Sequence, residues 1–384
     1  MSVVTETYPP DINGVAFTVA RWVEALRRRG HHTTLIRVGP EGDWPESADA
    51  LATVRFPGFR FPGYPQVSIG WPAYNALLRH WRRQRPDLVH IATEGPLGYS
   101  ALRAARRLRI PVSTSFHTHF QHYSRHYHLG WLSAPITAYL RHFHNRALQT
   151  LVPTEELAGQ LRAHGFQRVQ VVARGVDTRL FSPNRRNPAL RQRWGLASRG
   201  LAVLYVGRLA AEKNLELLIE AFAAIHRLQP DSRLILVGDG PLASGLRARH
   251  PAFIYCGMQQ GEALAAHYAS ADLFLFPSLT ETFGNVLLEA MASGLAVVAF
   301  DYAAARAHLE SGRSGCLVPF GDAAAFVGAA GALAHEPHTL ESLRQAARHA
   351  VADLDSERIY DRLEAAFLRV MQGESPCPKA CQTV

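Results

Sequence analysis

The chain has 384 residues, more than one ordinary hydrophobic core organises and enough for two domains. At 47% hydrophobic and 19% charged it is globular in composition, with no apolar run near the roughly 20 residues that span a bilayer. Its net charge of +9 is unevenly placed: residues 1–176 hold 21 Arg, no Lys and 11 acidic residues, a balance of +10, while the remainder balances to −1. A basic half could meet nucleic acid, an anionic membrane or anionic ligands, although single clusters such as Arg27-Arg28-Arg29 read as solvated helix faces. No recognised nucleic-acid motif accompanies it, so nucleic acid is not an expected partner. The N-terminus lacks the basic start and apolar stretch of a secretory signal. Cys256, Cys316, Cys377 and Cys381 form no disulfide framework, and a reducing cytoplasm is the expected compartment.

In chain order, Val3-Val4 opens a strand, residues 9–14 form a turn-rich loop, and a helix runs on towards Gly30. Strands follow at 32–38, 88–91 and 112–116, with a helix at 101–108 between the last two. The stretch 56–65, dense in aromatics, Pro and Gly, breaks this alternation and reads as a loop. It could dip into a membrane surface or pack on its own domain. Residues 177–195, rich in Pro, Asn and Arg, read as a linker. A second alternating run then begins, with strands at 201–206, 233–237, 253–256, 273–276 and 296–299 and a helix at 215–225. Strands alternating with helices give α/β domains with parallel sheets covered on both faces, and such sheets bind ligands at the carboxyl ends of their strands. The expected division is 1–176, with a helix of about 357–372 packing back on it, then 177–356, with 373–384 as a disordered tail.

The strongest site signal is the run from Pro277 to Ala290, a connection from strand to helix. Gly284 permits close backbone approach, and the N–H groups that follow suit a phosphate. Glu281 and Glu289 would hydrogen-bond the hydroxyls of two rings, although on spacing alone they read as a cap and a surface helical residue. Arg208 and Lys213, after the strand 201–206, place two cations where a leaving diphosphate needs neutralising. They also fit a solvated basic pair. The run Gly238-Asp239-Gly240-Pro241-Leu242-Ala243 matches a dinucleotide fingerprint in letters, but Pro241 and the missing acidic partner weaken it. His117 is trailed by His119, His122, His126 and His128 at irregular spacing, which favours one histidine facing a ligand over a metal cluster. Asp353-Leu354-Asp355 reads as a helical surface pair.

Taken together and in this order, these motifs resemble the retaining glycosyltransferase family 4, over residues 5 to about 369. Two glutamates separated by seven residues, here Glu281 and Glu289, are its hallmark, and the loop 9–14, His117, Arg208 and Lys213 fall in family order. The resemblance implies the GT-B fold, two Rossmann-like doubly wound domains facing across a cleft, the first for the acceptor and the second for the nucleotide sugar. It implies that Arg208 and Lys213 bind the donor pyrophosphate. Glu281 would hold the transferred sugar, assisted by backbone N–H groups at Phe283 and Gly284, Asn285 would join the donor-binding set, and Glu289 would bind the ribose. Gly14 would let the first loop approach the phosphates, His117 would contact the sugar, and the segment ending at Met258 would face the base. It further implies transfer with retention, no metal and no other cofactor, the departing phosphate oxygen taking the acceptor proton.

Thr5-Glu6-Thr7-Tyr8-Pro9-Pro10, Glu94-Gly95-Pro96-Leu97-Gly98 and Ser115-Phe116-His117-Thr118 resemble a narrower group of GDP-mannose-dependent mannosyltransferases and of transferases acting on diacylglycerol or phosphatidylinositol. Asp301-Tyr302-Ala303-Ala304-Ala305-Arg306 departs from the wider family's Gly-Gly-Pro-Glu-like turn, and Asn13 and His119 depart at positions bearing on sugar and acceptor choice. The expected reaction is transfer of mannose from GDP-mannose to a lipid or glycan. A UDP-glucose or UDP-glucuronate-dependent diacylglycerol glycosyltransferase is the alternative. The basic first domain would lean on the anionic inner face of the cytoplasmic membrane. The rival from another class is an NAD-dependent oxidoreductase resting on Gly238 to Ala243, which gives Glu281, Arg208 and Lys213 no shared task.

Overall fold

The computed structural model describes residues 1–11, 14–39, 51–61, 64–117, 133–196, 200–280 and 284–373. Contacts divide the chain into two compact units, Met1–Arg174 with the chain from Ile359 onward, and Gly175–Arg358.

The first unit is built on a seven-stranded sheet. Its strands are β1 (Ser2–Thr5), β2 (Thr34–Val38), β3 (Ala52–Phe56), β6 (Val89–Ile91), β7 (Val112–Ser115), β8 (Gln149–Val152) and β9 (Val169–Val171). They lie in the order β3-β2-β1-β6-β7-β8-β9, every pair parallel. Parallel strands need crossovers, and the helices that supply them cover both faces. On one face Val4, Ile36, Val89 and Ile91 pack with Trp81, Leu97 and Ala101. Elsewhere the Gly14–Arg28 helix contributes Trp22 and Leu26 to a cluster completed by the Ser356–Met371 helix through Ile359, Leu363, Phe367 and Val370. Arg29 bonds Asp361 at 2.8 Å and His31 bonds Glu364 at 2.6 Å at the edge of that contact.

The described part of residues 56–65 is not the loop expected from their composition. β4 (Gly58–Phe61) and β5 (Tyr64–Gly70) form an antiparallel ribbon in which Gly58 faces Gly70. A Cβ on Gly58 would stand 2.4 Å from Val38 Cγ1 and 2.5 Å from the Ile69 carbonyl, so glycine lets the ribbon lie against β2. The same glycines made the segment look irregular. The helix expected at 101–108 begins earlier, as Pro96–Arg107, with Pro96 in the first turn, where its missing N–H costs nothing.

The second unit holds β10 (Ala202–Val206), β11 (Arg233–Val237), β12 (Ile254–Gly257), β13 (Leu273–Phe276), β14 (Ala296–Phe300) and β15 (Cys316–Val318), in the order β12-β11-β10-β13-β14-β15, all parallel. Successive residues alternate faces, with Leu204 and Phe274 in one core and Val203, Tyr205, Leu273 and Leu275 in the other.

Residues 177–195 are not a linker. They form a 3-10 turn and the Pro188–Arg193 helix, and Phe181, Leu190 and Trp194 enter the core of this unit. The arginines that made the segment look solvated converge on Asp272, with Arg186 at 2.7 Å and Arg191 at 2.8 Å, and Asp272 also accepts the Ala202 N–H at 2.9 Å. Burial alone would raise the Asp272 carboxyl, but the two guanidinium charges and that N–H outweigh it and hold it below its ordinary range. Asp353 and Asp355 are likewise not a helical pair. Asp353 lies in a 3-10 turn, while Asp355 follows it, accepting the Thr178 hydroxyl and the Glu357 N–H before the last helix begins.

In both sheets the strand order reverses next to the first strand of the unit, between β1 and β6 and between β10 and β13. The loops leaving the two strands of each pair turn to opposite faces, which opens a crevice at their carboxyl ends.

Candidate active site

In the second unit, Gly207, Arg208 and Lys213 follow β10, and Pro277 to Thr280 follow β13. The two loops are knitted together. Lys213 Nζ donates to the Thr280 carbonyl at 3.2 Å and to Ser278 Oγ at 3.5 Å, and Asn214 Nδ2 donates to the Pro277 carbonyl at 3.3 Å. Asn214 adopts a left-handed φ of 55°, which turns the chain from the Ala211–Lys213 3-10 turn into the next helix. Arg208 is 47% exposed and lies 3.7 Å from Glu212. Both cations stand at the reversal of strand order, Lys213 reaching across to the other loop and Arg208 half-exposed beside Glu212.

Glu281 and Phe283 lie outside the described residues. Beyond them Gly284 has φ +86°, a conformation that strains any residue with a Cβ, and it caps the Asn285–Ala292 helix. Asn285 Oδ1 is buried and has no hydrogen-bond partner among the described residues. Glu289, which spacing alone would leave on a helix surface, is only 6% exposed and accepts the Tyr268 hydroxyl at 3.1 Å. Tyr268 is fully enclosed, and burial together with that carboxylate pushes its phenol well above its ordinary value. Met258, just after β12, is 55% exposed.

Gly238 and Gly240 have a packing task. A Cβ on Gly238 would stand 2.0 Å from the Gly207 carbonyl, and one on Gly240 would stand 2.4 Å from the Leu209 carbonyl. These glycines let the loop after β11 lie against the loop that carries Arg208.

In the first unit, Glu6 follows β1. Its Oε1 accepts the Leu97 N–H at 3.0 Å at the start of the Pro96–Arg107 helix, where a carboxylate meets the positive end of the helix dipole. Gly95 has no room for more, since a Cβ there would lie 1.9 Å from Glu6 Oε2. Glu94, after β6, meets His144 Nε2 at 3.2 Å, and its carbonyl accepts the Tyr139 hydroxyl at 2.6 Å. His117 follows β7, with Nε2 2.8 Å from Ser115 Oγ and its ring 5.9 Å from that of Trp22. Burial, then the charge of Arg174 and the neighbouring His90 and His144, hold the imidazole well below its ordinary value. Gly14 begins its helix with Arg174 alongside, the guanidinium 3.6 Å from where a Cβ would stand. His119, His122, His126 and His128 lie outside the described residues.

The sequence model named Glycosyltransferase Family 4 matches residues 12–180, and that named Glycosyl transferases group 1 matches 200–336. The chain is 36% identical over 327 residues, 84% of each chain, to a GDP-mannose-dependent alpha-mannosyltransferase of Mycobacterium tuberculosis. This chain belongs to glycosyltransferase family 4. The glycosyltransferase is also 28% identical to the alpha-monoglucosyldiacylglycerol synthase of Acholeplasma laidlawii, over 82% of this chain and 83% of that one. Among solved structures, sucrose-phosphate synthase from Thermosynechococcus elongatus superposes with a TM-score of 0.75, covering 97% of this chain and 99% of that one at 19% identity. That likeness shows the fold, the two Rossmann-like parallel-sheet domains of the GT-B class.

Within this glycosyltransferase, the second unit brings Arg208, Lys213, Gly284 and Asn285 to the loops and helix start of one strand reversal, with Glu289 inside the helix that follows. Sequence reasoning missed Tyr268, whose place beside Glu289 no local pattern announces. Nor did it foresee that Glu6 and Glu94, both in motifs quoted for the resemblance, would be tied to the Leu97 N–H and to His144.

Burial, opposed by the Leu97 and Gly70 N–H groups and reinforced by Glu94, pushes the Glu6 carboxyl up from 4.5 to about 7. Between those values the folded chain keeps a proton that the unfolded chain has released, so this group lowers stability as pH rises through the window. Glu6→Gln cannot ionise. The stability difference between the variant and wild type, read from urea midpoints, is expected to shift in the variant's favour from pH 4.5 to 7.5. A difference independent of pH would contradict the burial argument.

Proposed function

We propose that this glycosyltransferase moves mannose from GDP-mannose to a hydroxyl of a lipid or glycan acceptor, with retention and without a metal. The observation that carries the donor assignment is the 36% identity, over 84% of each chain, to a relative named for GDP-mannose and alpha-mannosyl transfer. The acceptor class draws support from the likeness to a diacylglycerol-glycosylating relative. That likeness also keeps a UDP-glucose-dependent diacylglycerol reaction as the second reading.

In this reading Arg208 and Lys213 neutralise the donor diphosphate, the task a divalent ion performs in other transferases. Lys213 is held by the Thr280 carbonyl and Ser278, so its ammonium is placed before the donor arrives and needs little reorganisation. The start of the Asn285–Ala292 helix offers N–H groups to an anion, and the unpartnered Asn285 Oδ1 can accept a donor hydroxyl. Glu289, oriented by Tyr268, holds the ribose hydroxyls. Glu281 takes the hydroxyls of the sugar, with the Phe283 and Gly284 backbone beside it, and the segment at Met258 lies against the base. In the first unit Gly14 permits approach to the phosphates and His117 bonds the sugar. The bond from the anomeric carbon to the leaving phosphate oxygen breaks while the acceptor oxygen bonds the same face. The phosphate oxygen takes the acceptor proton, so no protein base is needed.

Calorimetric titration of GDP and of UDP, in the presence of EDTA, tests the donor assignment. GDP is expected to bind and UDP not, and Glu289→Ala is expected to weaken GDP at least about tenfold, the loss of one or two hydrogen bonds to a carboxylate. Preference for UDP would favour the second reading, and binding unaffected by Glu289→Ala would remove the ribose role.

We assign the membrane contact to the first unit. No helix among the described residues is long and apolar enough to cross a bilayer. The basic half instead carries exposed aromatics on and beside the β4–β5 ribbon, Phe59 at 40% and Trp71 at 55%, their rings 5.2 Å apart. Aromatic rings beside arginines suit the anionic headgroup region. In flotation, the protein is expected to rise with vesicles containing anionic lipid and to fall back as salt increases. Protein that stays at the bottom with every vesicle composition would sink this assignment.

A further inference from the structure

Beneath His117 runs a line of buried polar side chains that the donor and acceptor readings leave without a task. Gln149 Nε2 donates to Ser113 Oγ at 3.0 Å. Ser113 Oγ lies 3.2 Å from His90 Nδ1, His90 Nε2 lies 3.3 Å from Ser115 Oγ, and Ser115 Oγ lies 2.8 Å from His117 Nε2. Gln149, Ser113, His90 and Ser115 are each no more than 1% exposed. The far nitrogen of His117, Nδ1, is buried and has no hydrogen-bond partner among the described residues.

The direction of this line follows from what each group can do. A carboxamide nitrogen only donates, so Ser113 Oγ accepts from Gln149 and has one proton of its own to place. His90 Nδ1 is the acceptor within reach. Burial holds His90 down to about 3, so its ring is neutral and carries a single proton, which then sits on Nε2 and goes to Ser115. Ser115 in turn donates to His117 Nε2. The His117 ring is also held neutral, so its one proton is left on Nδ1.

We propose that the line from Gln149 through Ser113, His90 and Ser115 fixes His117 as the Nδ1–H tautomer. His117 thereby meets its ligand as a hydrogen-bond donor to an oxygen, and Ser115 and His90 are positioning residues. The buried Nδ1–H takes a ligand hydroxyl or phosphate oxygen as its acceptor, and it cannot act there as a proton-accepting base. The identity of that oxygen as a hydroxyl of the transferred sugar rests on the function proposed above. The tautomer does not.

Long-range proton–nitrogen NMR on the full chain with 15N-labelled histidine, in the absence of nucleotide, reads the tautomer directly. The His117 signals are identified by difference with His117→Gln. The expected result is a protonated nitrogen at Nδ1 and an unprotonated one at Nε2, unchanged across neutral pH. In Ser115→Ala that preference is expected to be lost, with a shift also at His90, whose Nε2 faces the same hydroxyl, while the other histidine signals stay in place. GDP affinity is expected to be kept, and sugar transfer to fall about tenfold, as one hydrogen bond accounts for. A wild-type ring protonated at Nε2, or a doubly protonated ring, would overturn the proposal, as would Ser115→Ala with its tautomer intact. If Ser115→Ala does not fold, the wild-type spectrum alone decides. A correct tautomer in a protein that binds UDP instead of GDP would leave this inference standing and overturn only the donor assignment.

Discussion

The reversal of strand order between β10 and β13 is the constraint on which the rest of the candidate site depends. Two loops leave neighbouring strands towards opposite faces of the sheet, and their parting exposes backbone and side chains that helices would otherwise cover. Into that parting the second unit sends Lys213 from one loop to the Thr280 carbonyl of the other, so the crevice is bridged by a cation. Gly238 and Gly240 let a third loop support the Arg208 segment from behind, where a single Cβ would collide with a carbonyl. Glu289 is carried on the Asn285–Ala292 helix that leaves the same crevice, and its buried carboxyl group accepts the Tyr268 hydroxyl.

The first unit repeats the device between β1 and β6 but fills it differently. Glu6 caps the Pro96–Arg107 helix from within, and Glu94 is tied to His144 and Tyr139. The interior behind β7 is polar, and a buried hydrogen-bonded network of this kind favours a single fixed arrangement. The arginines of this unit differ in their surroundings. Those that decorate its helices give the basic surface, whereas Arg174 is buried beside Gly14. One excess of positive charge therefore has two physical settings, a solvated surface and an enclosed cation beside His117.

The fold was legible because parallel strands buried on both faces read as short apolar runs, and β10, β11, β13 and β14 all stood out in that way. Arg208, Lys213 and Gly284 were legible because their place after a strand is a matter of local order. Segment 177–195 was misread because Pro, Asn and Arg look solvated until Asp272, some eighty positions later, is seen to gather Arg186 and Arg191. The β4–β5 ribbon was misread because glycine, which breaks patterns, is here the residue that permits close sheet contact. Tyr268 beside Glu289 and the line of groups behind His117 depend on neighbours brought together across strands and helices. No spacing rule along the chain reports them.

The measurement that tests the central claim most directly is release of GDP from GDP-mannose, with lipid or glycan acceptors and EDTA present, by wild type and Arg208→Ala. The account predicts steady turnover in EDTA, product mannose in the α configuration, and a loss of about a hundredfold or more in the variant, as for removal of one preorganised charge stabiliser. Turnover that appears only when a divalent ion is added, or an Arg208→Ala enzyme as fast as wild type, would contradict the claim that side-chain cations at this strand reversal carry the leaving diphosphate.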